Sequence, residues 1–245
     1  MTAALALPTR RQEAFRYSDV AALASVWPVA REEIRVAAGT SGALAIVTPA
    51  GAATARLLSI KLAAGAKFDL RILNAAPIFG RIAVEVELDE GADFTLGAAQ
   101  LGSGDQTLEI VTEVLHAAPN AVSRQLVRSV LGARATGTYL GKVAVARGSI
   151  GTDSEQSVRA MLLDRTATAN AKPELEIYAD DVKCAHGCAV GELDANGLFY
   201  LQSRGLSPAE AKRLMLQAFI AEAFGGAPDE DELTAAALAA LGALL

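Results

Sequence analysis

The sequence predicts a mostly β chain that closes in a small α-helical subdomain. Three observations predict it: short apolar runs alternating with polar residues from about Ile34 to Val190, turn residues recurring between those runs, and a helix-start signature at Ser207-Pro208-Ala209-Glu210. Side chains alternate between faces along an extended strand, so a period of two buries one face. Arg81-Ile82-Ala83-Val84-Glu85-Val86-Glu87-Leu88 has that period, as do Leu108-Glu109-Ile110 and Leu175-Glu176-Ile177. The punctuation is Pro49-Ala50-Gly51, Ala64-Gly65, Asp89-Glu90-Gly91 and Gly102-Ser103-Gly104-Asp105. Many short strands so spaced build a sandwich, a barrel or a β-solenoid. The stretch holds no convincing long helix and few Asn-Gly or Asp-Gly hairpin signals, which leans toward the solenoid. It also holds no strict repeat.

In chain order, Leu7 to Glu33 is mixed and polar, with Pro8, Pro28 and the cluster Thr9-Arg10-Arg11-Gln12-Glu13. Short helical turns fit there, and Trp27, the sole tryptophan, reads as an anchor to the body. Residues 1–33 are therefore taken as an N-terminal arm, 34–202 as the β core and 203–245 as the helical subdomain. The longest uncharged run, Val36 to Ala55, could span a bilayer by length. Its Gly39, Thr40, Ser41, Gly42, Thr48, Pro49 and Gly51 make it a strand–turn–strand instead. Gly137-Thr138-Tyr139-Leu140-Gly141-Lys142 and Gly148-Ser149-Ile150-Gly151-Thr152 fit neither a P-loop nor a dinucleotide fingerprint and read as turns. Ser207 and Glu210 form a capping box with proline at the first helical position. A helix with Ala211, Leu214, Met215, Ala218 and Ile220 apolar follows, ended by Gly225-Gly226. The acidic run Asp229-Glu230-Asp231-Glu232 suits the start of a second helix, which carries Leu233, Leu238, Leu241 and Leu245.

The composition of the 245 residues, 52% hydrophobic and 20% charged, excludes a disordered tail. Aromatics at 5% suit closely stacked layers better than a deep aromatic pocket. A net charge of −6 with no Lys/Arg block argues against nucleic-acid binding. Met1 to Pro8 is apolar but short and lacks a basic region, so no signal peptide is expected. The tail from Leu233 is too short to span a membrane. Two cysteines four residues apart on extended chain lie beyond disulfide reach, so free thiols and a reducing, cytoplasmic setting are expected.

Chemistry concentrates in Asp180-Asp181-Val182-Lys183-Cys184-Ala185-His186-Gly187-Cys188. If this segment is extended, Asp180, Cys184, His186 and Cys188 share one face. Thiolate, imidazole and carboxylate are ligands for soft and borderline metals. Opposite them, Ala185 and Gly187 allow another backbone to approach. The competing reading is a buried thiol pair beside a hydrogen-bonded histidine. Neighbouring positions on one strand do not wrap a tetrahedron, so completion by a second chain fits better than a self-contained site. His116, the other histidine, is isolated and reads as a core or surface residue. No G-x-S-x-G elbow or H-E-x-x-H is present. A stand-alone metal-binding or redox enzyme using Cys184, His186 and Cys188 is the alternative function.

The same segment, from Lys172-Pro173-Glu174 through Lys183-Cys184-Ala185-His186-Gly187, resembles the signature of the SufB/SufD family of the SUF iron–sulfur cluster assembly system. Leu198-Phe199-Tyr200-Leu201-Gln202-Ser203-Arg204-Gly205-Leu206-Ser207 and Leu7-Pro8-Thr9-Arg10-Arg11-Gln12-Glu13-Ala14-Phe15-Arg16-Tyr17 are similar to it as well. The Lys-Cys-x-His-Gly form favours the SufD side. The resemblance implies a right-handed parallel β-helix with a C-terminal helical domain, and a scaffold that is not itself an enzyme. It implies a complex of one SufB, one SufD and two SufC, in which SufC, the ATPase, docks on the helical domain. The two scaffolds pair through the ends of their β-helices. By motif position His186, with Cys184 beside it, would help hold a transient iron–sulfur cluster shared with the sister subunit; the isolated protein could also homodimerise. Two departures are evident. The chain is short for that branch, with no N-terminal helical extension expected. Cys188 stands where the family usually has a small residue, so it takes no family role and is expected only to pack.

Overall fold

Apolar side chains on one face of each strand force that face against a second sheet, and the chain meets this demand by winding. The computed structural model describes residues 6–48, 51–75 and 78–245. Among them, strands alternate between two six-stranded, wholly parallel sheets. The first sheet holds β1 (Arg31–Val36), β3 (Thr54–Leu62), β5 (Phe79–Leu88), β7 (Thr107–His116), β9 (Thr136–Val145) and β11 (Thr168–Ile177) in that order. The second holds β2 (Ser41–Val47), β4 (Lys67–Ala75), β6 (Asp93–Gly102), β8 (Val122–Leu131), β10 (Asp153–Leu162) and β12 (Lys183–Gly191). Each strand pairs with the strand two ahead of it, one coil further on: the fold is a parallel β-solenoid. Of the Val36–Ala55 run, β2 and the start of β3 are strands; Pro49 and Ala50 lie outside the described residues.

The turns stack as regularly as the strands. The amide of Gly39 donates to Ala64 O, Gly65 to Glu90 O, Gly91 to Pro119 O, Asn120 to Ile150 O and Gly151 to Asp181 O. Every residue in this column, Asp181 included, has a positive φ. A left-handed turn residue suits glycine and is tolerated by Asn and Asp, the residue types found here.

Two cores result. Inside the coils, Leu58, Ile60, Ile82, Val84, Ile110, Val114 and their stacked neighbours exclude solvent. Outside the second sheet, Leu73, Ala99, Leu101 and Val130 pack against the C-terminal helices. Those helices are α2 (Ala195–Ser203), α3 (Pro208–Ala221) and α4 (Glu230–Gly242). The capping box at Ser207 and Glu210 is present, and the acidic run lies at the α4 N-terminus. The buried face of α3 is Ala211, Leu216, Phe219 and Ile220, whereas Leu214 is exposed, so the expected stripe is rotated. No sequence signal marked α2.

The N-terminal arm, with α1 (Val20–Ala24), meets the first sheet through Ala14, Phe15, Ser18 and Asp19, which contact Arg81 of β5 and Glu109 of β7. This overturns the alternation read at Leu108-Glu109-Ile110, where all three residues are buried. Glu109 pairs with buried Arg81, and the Ser18 hydroxyl and Asp19 amide donate to its carboxylate. Arg81 also donates to Ala14 O and covers the Phe15 ring, which meets half-buried Trp27 edge to face. The turn reading of Gly137–Lys142 is also corrected: it lies within β9. A Cβ at Gly141 would fall 2.3 Å from Tyr139 Oη, so glycine there makes room for a buried ring.

Candidate functional site at the open coil end

Register fixes where the Cys/His segment points. Ser154, Gln156 and Val158 of β10 are buried inside the solenoid, and they pair with Cys184, His186 and Cys188 of β12. The three site residues therefore occupy inward positions of the last coil. Among the described residues no strand pairs with the far edge of β12, so the interior opens there. Cys184 is half-buried and packs on the core, as do Ala171 and Leu175 of β11. His186 and Cys188 are exposed. The Cys188 thiol lies 3.9 Å from Ala171 O, and the residue is exposed.

Asp180 does not join them. The turn column claims Asp181 with φ 56°, and β12 begins at Lys183, so the chain bends before the strand and the four-residue face is reduced to three. Both cysteines are free; inward positions four apart on a strand are separated by about 13 Å, too far for a bridge. Gly187 has open space around its Cα, in keeping with a small-residue outer face.

The electrostatics favour protonated thiols. Burial pushes the Cys184 thiol above its ordinary value, with a weaker push from the Asp153 carboxylate against a lowering backbone hydrogen bond from Ser154. Burial also raises Cys188. A thiol held protonated is not an activated nucleophile, and it can ligate a metal only by surrendering that proton. Among the described residues no three of His, Cys, Asp and Glu converge on a point that could hold an ion. Cys184 and His186 by themselves do not make up a coordination shell.

His116 sits deep in the interior, fully buried. Its Nε2 is 2.9 Å from Ser123 Oγ, which is 2.9 Å from Ser154 Oγ, directly beneath Cys184. Burial pushes its pKa down to about 4, so it is neutral at pH 7. This polar column was missed in sequence because serines inside a solenoid carry no signal until the register stacks them.

Fold and site together define a parallel β-solenoid with a helical module on one sheet and a thiol–imidazole pair at an open coil end. The chain belongs to the family described as "SUF system FeS cluster assembly, SufBD core domain", whose model matches residues 33–219. It is 39% identical over 108 residues to the Escherichia coli iron–sulfur cluster assembly protein SufD, covering 44% of this chain and 26% of that protein. It is 36% identical over 129 residues to the chloroplastic protein ABCI7 of Arabidopsis thaliana, covering 52% and 27%. To the Bacillus subtilis SufD it is 32% identical over 130 residues, covering 53% and 30%. The chain thus matches less than a third of the length of these curated relatives. Among the described residues no helix is long and apolar enough to cross a membrane.

Proposed function

We propose that this chain is a non-catalytic, SufD-type scaffold subunit of a cytoplasmic SUF assembly complex. The observation that carries the reading is the exposure of His186 on the inward side of an uncovered last coil. A residue meant only for the core would be covered, whereas this one waits for a second surface. An open strand edge is a template for strand addition, so a SufB-type sister pairs at the β11/β12 end. His186 and Cys184 then contribute to a nascent iron–sulfur cluster completed by ligands of the sister subunit; the cluster is cargo rather than a resident group. A neutral imidazole and a thiolate both ligate iron. The SufC-type ATPase docks on the C-terminal helices, where Phe199 and Tyr200 of α2 and Leu214 of α3 are exposed apolar side chains. ATP hydrolysis belongs to that partner. The place of Cys184 and His186 on an open strand edge supports a shared site over a self-contained redox or metal enzyme.

The test is His186→Ala in the co-expressed complex. Cluster content of the purified complex should fall severalfold while the subunits still co-purify. Full cluster yield from that variant sinks the assignment.

A further inference from the structure

Beneath His186 the solenoid interior changes character coil by coil. Along one column of the second sheet, Leu70 stacks on Leu96, Leu96 on Gln125, Gln125 on Gln156 and Gln156 on His186. The column is aliphatic for two coils and then turns polar, with Gln125 and Gln156 only 2% and 1% exposed. Burying carboxamides is unfavourable unless they are hydrogen-bonded. Here each carboxamide is satisfied at one end only: Gln125 Nε2, like Gln156 Oε1, has no partner. Gln156 Nε2 lies 3.3 Å from Gln125 Oε1 and 3.2 Å from Tyr139 Oη, and Thr112 Oγ1 closes the group, 3.0 Å from Tyr139 Oη and 3.2 Å from Gln125 Oε1. Gln156 Oε1 is left buried without a partner. The one rung formed has a direction: Gln125 Oε1 accepts from the Gln156 amide, one coil nearer the open end. The next donor this register offers to Gln156 Oε1 is a ring N–H of His186.

We infer that Gln156 is a positioning residue for His186, accepting one imidazole N–H so that the other nitrogen presents its lone pair at the open end. A neutral imidazole has one donor and one acceptor nitrogen, and the hydrogen bond at one decides which tautomer forms. Histidines that ligate metals characteristically donate their second N–H to a carbonyl or carboxylate, which orients the ring. Ser154 does not compete, being bonded to Ser123, and Val158 has no polar atom. The functional meaning rests on His186 acting as a ligand; the hydrogen bond itself is testable apart from it.

The experiment is nitrogen-15 NMR of the imidazoles in the full chain at neutral pH. One His186 tautomer should dominate by roughly five- to tenfold, the bias expected of one net hydrogen bond, and its ring N–H should exchange slowly with water. Gln156→Met should abolish both signs. Thr112→Val, which removes a hydroxyl from the same polar layer but leaves the rung, should preserve them. An unchanged tautomer balance in Gln156→Met, or an equal loss in Thr112→Val, overturns the inference. Should Gln156→Met not fold, the wild-type ring N–H decides alone: slow exchange supports the contact and rapid exchange refutes it. Normal cluster yield from His186→Ala would end the ligand reading yet leave this tautomer result standing, so the two failures are distinguishable.

Discussion

Glu109 has no exposed surface, yet it carries a carboxylate against the buried guanidinium of Arg81. Breaking a buried pair from one side leaves the other charge uncompensated, at a cost of about 3–5 kcal/mol. Glu109→Ala should lower the unfolding free energy by about 3 kcal/mol in denaturant titrations, and the double change Arg81→Met with Glu109→Leu should restore most of it. His116 acts through pH. Its folded-state pKa of about 4 lies below the ordinary 6.5 because burial disfavours the imidazolium. Between those values the unfolded chain binds the proton and the folded chain does not. The contribution is therefore complete above pH 6.5 and is lost as pH falls toward 4, about 3 kcal/mol in all. His116→Leu, set between Leu88 and Val145 in its column, should flatten that part of the stability–pH curve.

At the scale of elements, the docking of α3 is decided by a missing side chain. A Cβ on Gly97 of β6 would lie 1.9 Å from Ala223 O, the same carbonyl that accepts from Arg71 Nη1 at 2.8 Å. Arg128 reinforces the contact, bonding Glu222 at 2.7 Å and covering the Phe219 ring. Gly97→Ala must push the end of α3 off the sheet, and overpacking of this kind costs about 1–3 kcal/mol. We expect a lowered melting temperature, with protection of the α3 amides lost first in hydrogen exchange. The same contact explains why the apolar face of α3 was misplaced in sequence. Helical periodicity accommodates Leu214 and Leu216 about equally well, and only the sheet behind the helix chooses between them.

For the whole molecule, the open coil end is the feature on which the proposed function turns, and it is a property of stacking rather than of any one residue. Strands, turns and the helix cap were legible because each is set by neighbours in sequence: alternation, turn chemistry, and Ser207 three residues before Glu210. Gly65 and Gly91 were read as turn residues, but that they stack with Gly39, Asn120, Gly151 and Asp181 in one left-handed column appears only in the structure. Cys184 and His186 stood out by residue type and spacing, and the family resemblance attached a role to them. What the sequence by itself determined is this local grammar, since side-chain period and turn preference act over a few residues. What only the tertiary structure decided is burial. Glu109 is sealed because an arm from far up the chain lies over it, Asp180 is set aside because a stacked turn claims Asp181, and His186 is exposed because among the described residues no strand follows β12. Each of these depends on contacts between residues distant in sequence, where a one-dimensional pattern carries no register.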